Sequence, residues 1–246
     1  MLAERIEEAS LNAWPALQHL LFDGWIVRFA KGFTKRANSV NPLFDSHLNI
    51  AEKVDRCERL YTERGLPTVF RLTSVASPPE LDPLLDRRHY TLLDPASVQH
   101  CDLRSQVLTA TPPVQLQDDT LDEWFASYCR LNGVAVAEQQ VHKEILQAIP
   151  SARLLAVLTD ANRLVACGLG VLEDEYFGLF DLITDGAERN KGYGGQLVSG
   201  MLRWAQERGA VHAYLQVLKS NAPAQRLYAK LGFQEIYQYW YRVLGV

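Results

Sequence analysis

The chain reads RNKGYGG from residue 189 to residue 195, directly before a run whose apolar residues recur at helical spacing. A glycine-rich turn that opens a helix leaves backbone N–H groups without partners, and they converge with the positive end of the helix dipole. Such a turn binds anions, because glycine has no Cβ to hold a phosphate away from the backbone. Arg189 and Lys191 can add positive charge at its rim. A tight turn that binds nothing is the alternative that this stretch alone leaves open.

A second candidate is NAPAQRLYAKLGF, residues 221–233. Asn221 suits the N-cap of a short helix, and Gly232 suits its C-terminal cap. Ala224 and Tyr228 follow Asn221 by three and seven positions, so the three residues share one helix face. Without the glycine turn, the helical spacing alone would favour a core aromatic side chain for Tyr228.

The first half of the chain alternates helical and strand patterns. Apolar periodicity predicts a helix over residues 3–22, which Pro15 kinks or splits, and alternation predicts a strand over residues 25–29. Ser77 suits the N-cap of a further helix in a capping-box pattern. The other predicted elements of this half are a strand through RANSVN (36–41), a helix over 50–61 that Gly65 terminates, and a strand over 68–72.

The second half begins with two predicted helices, over residues 121–131 and 138–148. Three near-continuous apolar runs follow and predict strands of a sheet that is covered on both faces; they are residues 154–158, 164–172 and 176–184. After them come the glycine turn with its helix, a strand over 211–218, the short helix, and a terminal strand over 233–243.

The two halves resemble each other around a shared ERG. Glu63 pairs with Glu207 and Pro79 with Pro223, so both ends align at one offset of 144 residues without a gap. This pattern indicates an internal duplication, with two unrelated α/β units as the alternative. The proline pair and acidic turn of residues 110–120 are the best candidate boundary, which predicts domains over residues 1–112 and 113–246.

The offset shows that only one half can carry the site. Opposite the glycine turn the first half has DSHLNIA, residues 45–51, which contains no glycine. Opposite Tyr228 it has Leu84.

Composition excludes several other classes of protein. The net charge of −4 argues against a nucleic-acid partner, which usually needs a basic face. No apolar run reaches the length of a membrane span, and the first residues lack the pattern of a signal peptide. The cysteines at positions 57, 101, 129 and 167 are far apart, which indicates buried small hydrophobic residues rather than metal ligands. We therefore expect a cytoplasmic protein without a metal site.

Together, the two motifs resemble those of the GNAT superfamily of acyl-CoA-dependent N-acyltransferases. Arg189-x-x-Gly192-x-Gly194 matches the pyrophosphate loop [RQ]xxGx[GA], and residues 221–233 match the helix and turn after the fifth strand of that family. The resemblance covers residues 120–246 in the family's order of elements. It implies an α/β (α+β) fold of two tandem GNAT-like domains, each a mixed, mostly antiparallel sheet flanked by helices. The first copy would be degenerate.

The resemblance also implies acetyl-CoA as cofactor and assigns its site. The pantetheine arm would lie between the strands over 176–184 and 211–218, paired with the backbone of Leu182 and Thr184, while an N–H near Ile183 polarises the thioester. Asn221 and Ala224 would contact the cofactor, and Tyr228 would protonate the departing thiolate. The pyrophosphate would be held by Arg189, Asn190, Lys191, Gly192, Tyr193, Gly194 and Gly195. Asn190 and Gly186 depart from residues that are frequent in the family.

The general base is less clear from sequence. Many members of the superfamily carry an acidic residue where this chain has Phe180, and the carboxylate here is its neighbour Asp181. Adjacent strand residues face opposite sides, which counts against Asp181, although it stays the first candidate. Glu173, Glu175 and a water chain are the alternatives.

Other polar residues allow two interpretations. His142 and His212 stand in apolar surroundings, which favours structural roles. Arg36, Asn38 and Asn41 of the first half could line an acceptor pocket, or they could stabilise a solvated hairpin.

The resemblance implies an N-acetyltransferase that acts by direct attack of a primary amine on acetyl-CoA. The acceptor would be a small molecule or a peptide. A non-catalytic acyl-CoA sensor is the main alternative, and another acyl donor or a hydroxyl acceptor is a further one. Because duplication can substitute for dimerisation, a monomer is favoured over a homodimer.

Overall fold

The computed structural model of the chain describes residues 1–106, 115–118 and 120–245. Its helices are α1 (Leu2–Ala13), α2 (Ile50–Thr62), α3 (Leu81–Arg87), α4 (Leu121–Asn132), α5 (Gln140–Gln147), α6 (Tyr193–Gln206) and α7 (Ala222–Lys230). Its strands are β1 (Gln18–Phe22), β2 (Trp25–Phe29), β3 (Val40–Pro42), β4 (Thr68–Thr73), β5 (Thr91–Asp102), β6 (Gln115–Asp118), β7 (Ala152–Asp160), β8 (Arg163–Glu173), β9 (Tyr176–Thr184), β10 (His212–Leu218) and β11 (Gln234–Leu244).

The strands form one sheet in the order β1-β2-β3-β4-β11-β5-β10-β9-β8-β7-β6. Its pairs are antiparallel except for β3 with β4 and β9 with β10, which are parallel. The two halves of the chain exchange strands at the centre, because β5 lies between β10 and β11, and β11 lies between β5 and β4. The result is a mixed, mostly antiparallel sheet flanked by helices.

The element order agrees with the internal repeat. The elements α6, β10 and β11 begin within one residue of the positions that the 144-residue offset assigns to them from α2, β4 and β5. The parallel pair β3 and β4 likewise corresponds to β9 and β10. The division into domains over 1–112 and 113–246 stays a prediction, because the border lies in residues 107–114, outside the described residues.

Both faces of the second half's sheet are covered, as predicted. On one face, Trp124 of α4 and Ile145 of α5 pack with Ile6 of α1, and all three are fully buried. On the other face, Leu197 and Met201 of α6 pack in a separate cluster. Each such side chain contributes about 1.5–3 kcal/mol on burial. The two packed faces therefore hold β9 rigidly between them.

Two helix predictions were wrong at their boundaries. The helix predicted over residues 3–22 ends at Ala13, and the chain re-enters as strand β1, because Pro15 has no N–H to continue the helix. Ser77 is not an N-cap, since α3 begins at Leu81; its Oγ instead accepts a hydrogen bond from the N–H of Thr73. The strand predicted through RANSVN extends only over Val40–Pro42.

The cysteines behave as buried hydrophobic residues, as predicted. All of them are buried and unbridged, and burial raises the pKa of the Cys57 thiol to about 12. Within the described residues, no cluster of three metal-ligating side chains occurs. No helix in that part of the chain is long and apolar enough to cross a membrane.

Candidate functional site

Strands β9 and β10 are paired at one end and part at the other. They pair in parallel up to Leu179 and Leu215, and from there each strand continues without pairing to the other. Leu182, Ile183 and Thr184, which were predicted to contact a cofactor, lie in the part of β9 that pairs with β8 but not with β10. The parting leaves a backbone edge of β9 between two strands, where an extended ligand can add hydrogen bonds.

The glycine turn lies at the open end of this gap, where β9 leads into α6. Gly192 is the N-cap of α6 with a φ of 89°, a conformation that favours glycine, and it offers no side chain to cap the helix. The first N–H groups of α6, on Tyr193, Gly194 and Gly195, therefore have no partner from helix geometry or from a capping side chain. Asn190 adopts a φ of 64°, which asparagine tolerates, so it can replace the family's frequent glycine.

Gly194 and Gly195 lie close to the neighbouring elements. A Cβ on it would lie 3.3 Å from Leu227 of α7 and 3.4 Å from Oγ1 of Thr184. A Cβ on Gly195 would lie 3.5 Å from Leu227. A Cβ on Gly194 would therefore be a tight fit between α7 and the end of β9, whereas one on Gly195 would make an ordinary contact with α7.

Charged side chains surround the turn. The buried carboxylate of Glu188 lies 2.6 Å from Arg163 and 2.9 Å from Lys191, so two cations share one anion. The side chain of Tyr193 donates a hydrogen bond to Asp160 of β7. Only the backbone of Tyr193 is thus left for a ligand.

Tyr228 lies on α7, and its side chain is buried. Asn221 caps this helix as predicted, its Oδ1 accepting the N–H of Ala224 at 3.2 Å. The Tyr228 ring packs edge-on against Phe233 at 6.1 Å, but its hydroxyl has no hydrogen-bond partner among the described residues. Burial raises the pKa of Tyr228 to about 12, which keeps the hydroxyl protonated at neutral pH.

Strand β9 contains a bulge at the point where it leaves β10. Phe180 pairs with Leu169 and Ile183 with Cys167, so three steps along β9 correspond to two steps along β8. The extra residue leaves Asp181 with a φ of 48°. Bulges of this kind redirect a side chain and occur beside active sites.

The bulge brings Asp181 to the same face of the sheet as Phe180. The Phe180 ring lies 6.1 Å from the Trp14 ring, and Oδ2 of Asp181 lies 2.8 Å from Nε2 of His142, whose ring is 5.3 Å from the same tryptophan. The expectation that Phe180 and Asp181 face opposite sides is therefore wrong, because strict alternation fails at a bulge. Tyr228 packs in the cluster on the other face.

His142 holds the Asp181 carboxylate from within an aromatic cage. Its side chain is almost fully buried, with Phe33 stacked on it at 5.4 Å and with Phe125 and Tyr128 edge-on. Nδ1 is buried without a partner among the described residues. This favours the tautomer that donates Nε2–H to Asp181, since a second N–H would be a buried donor without an acceptor. A structural role was expected for His142; its burial agrees with that expectation, and its contact with Asp181 was not predicted.

Arg36 reaches the same place from the first half of the chain. Its guanidinium carbon lies 5.2 Å from the centre of the Trp14 ring and 5.9 Å from that of Phe180. Because Phe180 is the neighbour of Asp181, the loop between β2 and β3 borders the candidate base. The position agrees with the predicted acceptor pocket, and the role of Arg36 there stays a prediction.

Asn38 and Asn41 have structural positions. The Asn38 oxygen accepts the N–H groups of Ala30 and Gly32, and its amide donates to backbone carbonyls of the same turn. The Asn41 amide donates to the carbonyl of Ser39. The hairpin interpretation therefore holds for Asn38.

The alternative bases lie at the far end of β9. Glu173 accepts a hydrogen bond from Asn12 at 3.1 Å, and Glu175 lies 3.9 Å from His212. Both precede β9, whereas Asp181 is six residues beyond Glu175, or roughly 20 Å along an extended strand. Asp181 is thus the carboxylate that faces the parting of the strands.

The first half has a cleft at the corresponding position, but its charge is reversed. This cleft of about 870 Å³ is bordered by residues 43–50 and 75–80 and by α1, with the carboxylates of Glu4, Glu8 and Glu80 among its lining. At the start of α2, the Asn49 side chain already accepts the N–H groups that a phosphate would need. The prediction that only the second half can hold a diphosphate agrees with this lining.

Comparisons with known proteins point in one direction. The family described as "Probable histone acetyltransferase Rv0428c C-terminal" matches residues 4–242. The "Uncharacterized N-acetyltransferase YobR" of Bacillus subtilis (strain 168) is 29% identical over 244 residues, covering 97% of each chain. The "Probable histone acetyltransferase Rv0428c" of Mycobacterium tuberculosis is 26% identical over 235 residues, covering 93% of this chain and 70% of the relative.

Solved structures share the fold. A GCN5-related N-acetyltransferase from Kribbella flavida has a TM-score of 0.77 at 15% identity, covering 98% of this chain and 95% of that one. A tandem GNAT protein from the clavulanic acid biosynthesis pathway has a TM-score of 0.63 at 12% identity, covering 79% and 69%. The predicted GNAT fold, with its mixed sheet flanked by helices, is confirmed.

Proposed function

Because the chain belongs to the family described as "Probable histone acetyltransferase Rv0428c C-terminal", we propose that it transfers the acetyl group of acetyl-CoA to a primary amine by direct attack. The related proteins named N-acetyltransferases support a transferase of this type. The acceptor, the donor and the roles of single residues belong to the proposal.

The observation that carries the proposal is the parting of β9 and β10 with a candidate acid and a candidate base on its two sides. The gap opens after Leu179 and Leu215. Tyr228 packs on the α6 face, and Asp181 turns to the face of α5 through its bulge. A thioester that lies in the gap can meet both groups at once.

The residues around the gap fit CoA. The uncapped N–H groups at the start of α6 suit a pyrophosphate, and Gly194 leaves a backbone surface that a Cβ would fill. The edge of β9 suits the amides of a pantetheine arm. When bound, acetyl-CoA supplies the acetyl group as a thioester. The residues that would hold it are Leu182, Ile183, Thr184, Arg189, Asn190, Lys191, Gly192, Tyr193, Gly194, Gly195, Asn221 and Ala224.

Tyr228 supplies the proton for the leaving sulfur. Its hydroxyl has no hydrogen-bond partner within the part of the chain that the structure describes, and its pKa of about 12 keeps it protonated at neutral pH. A thiolate in the same apolar surroundings also has a raised pKa, which brings the proton affinities of sulfur and phenol closer together. The N–H groups near Ile183 orient the carbonyl.

Asp181 takes the proton of the attacking amine. His142 fixes one carboxylate oxygen at 2.8 Å, which leaves the other oxygen for the amine or for a bridging water. As the amine nitrogen bonds to the acetyl carbon, the bond from that carbon to sulfur breaks. One proton moves to Asp181 and one leaves Tyr228 for the sulfur, so both must be exchanged with solvent before the next turnover.

The test is CoA release in the presence of acetyl-CoA and a panel of primary amines, with the products identified by mass spectrometry. The panel includes small amines and a histone peptide, because one relative is named a histone acetyltransferase. An acetylated amine in equal amount to released CoA is the expected result, with initial rates that follow a sequential pattern.

Calorimetry separates catalysis from sensing. CoA binding without release for any amine would favour a non-catalytic acyl-CoA sensor. No CoA binding would reject the site itself. A ping-pong pattern would contradict direct attack.

A further inference from the structure

The guanidinium of Arg36 carries a charge that no carboxylate neutralises at close range. In the described part of the chain it forms no ion pair within 4 Å, and its Nε is buried without a hydrogen-bond partner. The Arg36 side chain forms a hydrogen bond with that of Tyr239. Burial lowers the pKa of Arg36, but the oxygens of Tyr239, Tyr241 and Asp181 outweigh burial and raise it. Arg36 is thus a fixed cation in a half-buried position.

The protein holds this cation in place through its backbone. Arg28 of β2 is buried and donates one hydrogen bond to the Arg36 carbonyl at 3.2 Å. The same guanidinium donates to the carbonyls of Leu11 and Trp14 at the end of α1. Arg36 and the Trp14 ring beneath it are therefore oriented together.

Asp181 is close to Arg36 but is paired elsewhere. Its carboxylate accepts a hydrogen bond from Nε2–H of His142 at 2.8 Å, while Arg36 contributes only a longer-range attraction. Because Arg36 and Asp181 are neighbours without direct contact, a zwitterionic ligand can place its anionic end on Arg36 and its cationic end on Asp181. An arginine that has a tyrosine hydroxyl but no carboxylate as its close partner has its charge available for an anionic ligand.

We infer that Arg36 binds an anionic group of the acceptor, so that the acceptor is a small amine that also carries a carboxylate. This inference rests on the proposed acetyl transfer and names the substrate class of the same site. The amine lies at Asp181, and the carboxylate lies on the planar fork of Arg36 above Trp14. Carboxylate geometry matches two parallel N–H groups of a guanidinium.

A single carboxylate fits better than a phosphate group. Arg36 is one cation, and the neighbouring Asp181 carboxylate opposes a second negative charge on the ligand. An acceptor with one positive and one negative end leaves no unpaired charge in the pocket.

The experiment compares amines that differ only in this group. The probes are glycine, β-alanine and 4-aminobutanoate, each beside its primary amide, with kcat/KM measured at saturating acetyl-CoA. We expect the best carboxylate to exceed its amide by about tenfold to a hundredfold, the weight of a charge-assisted hydrogen bond. Arg36→Gln should reduce this ratio to near one, because kcat/KM for the carboxylate falls more than that for the amide, while the KM for acetyl-CoA stays within about threefold. Arg36→Lys should keep part of the preference.

The matched control is Arg64→Gln. Arg64 also lies over an aromatic ring of the first half, Phe29 at 4.3 Å, but outside the site. The ratio of kcat/KM for the carboxylate to kcat/KM for its amide should be the same in Arg64→Gln as in the unchanged protein. An equal rate with carboxylate and amide in the unchanged protein, or an equal loss of both in Arg36→Gln, would overturn the inference.

If no probe is acetylated, binding decides the question separately from the proposed function. Calorimetry of the six probes with the CoA-saturated protein then replaces kinetics. Carboxylate binding that Arg36→Gln weakens at least tenfold would support the acceptor site although transfer failed. Absence of binding by every probe would overturn the inference.

Discussion

The Nε2 atom of His142 lies 2.8 Å from Oδ2 of Asp181, which joins α5 to the bulge of β9. In the proposed mechanism, His142 does not touch the substrate but fixes the carboxylate of the candidate base. The hydrogen bond restricts the rotation of the Asp181 side chain and so fixes the direction of its carboxylate.

The first prediction concerns this pair. Asp181→Asn should lower kcat by about a hundredfold to ten-thousandfold, the contribution of a positioned base, with CoA affinity nearly unchanged. His142→Gln keeps an N–H donor and should lose less activity than His142→Leu. The measurements are kcat, the pH profile of kcat/KM and CoA affinity for each variant. Unchanged kcat and pH profile in a folded His142→Leu protein would show that the contact does not position the base.

The second prediction concerns Tyr228→Phe. The ring packing on Phe233 survives this change, and the hydroxyl has no partner to lose among residues 1–106, 115–118 and 120–245, so the free energy of unfolding should stay within about 0.5 kcal/mol. Turnover should fall by about a hundredfold or more, because the proton donor is gone. Steady-state kinetics beside calorimetry with CoA separate the two effects. Wild-type turnover would remove Tyr228 from the acid role.

The third prediction uses two glycines with nearly the same positive φ, a conformation that other residues resist. Gly192 has a φ of 89° at the start of α6, and Gly209 has a φ of 87° after its end, where a Cβ would have no neighbour within 4 Å. Gly192→Ala and Gly209→Ala should each cost about 1 kcal/mol of stability, since alanine resists positive φ. Only Gly192→Ala should weaken CoA binding, by about tenfold or more. If Gly192→Ala and Gly209→Ala weaken CoA binding equally, the loss of affinity comes from reduced stability and not from the glycine turn.

The glycine turn and the two helices around it were predictable because each uses a short local signal. Gly192 and Asn221 are the N-caps of α6 and α7, and a helix cap depends on residues within a few positions of it. Their positions could therefore be predicted from the sequence pattern. The same locality explains the confirmed strands β7, β8 and β9, whose apolar runs are continuous.

The features that were missed depend on one extra residue in a strand. Asp181 faces the site only through its bulge, and no local pattern distinguishes it from an alternating residue. Strand β5 was not predicted, because Asp94 and Pro95 interrupt it at a second irregularity, where the register with β11 shifts. The contact of His142 with Asp181 joins residues 39 positions apart, so it could not be predicted without the three-dimensional fold.

The fourth prediction is a stoichiometry of one CoA per chain. The first half offers acidic side chains in the corresponding cleft, and Asn49 already caps α2. Isothermal titration should therefore give one site, and Gly192→Ala should weaken all of the binding rather than half of it. A residual site of full affinity in that variant would show that the first half also binds CoA.

The fifth prediction concerns the seam between the halves, where His100 of β5 meets His212 of β10. Nε2 of His100 lies 3.0 Å from Nδ1 of His212, and burial, followed by the charge of His212, lowers the pKa of His100. A lowered histidine pKa means that the unfolded chain binds the proton more readily. Its contribution to stability is complete above the ordinary value of 6.5 and is lost as the pH falls through the lowered one.

Thermal unfolding between about pH 8 and pH 5 measures this loss. His100→Gln should show a smaller fall in Tm over that range than the unchanged protein, whereas His19→Gln, which changes an exposed histidine, should show the same fall. The carboxylates of Asp23 and Asp102 have pKa values of about 2, so their contributions are lost only at lower pH and do not enter this window. Parallel Tm curves for all three proteins would mean that the histidine contact at the seam carries no pH dependence. The strands β5 and β10 would then be joined by their backbone hydrogen bonds and packing alone.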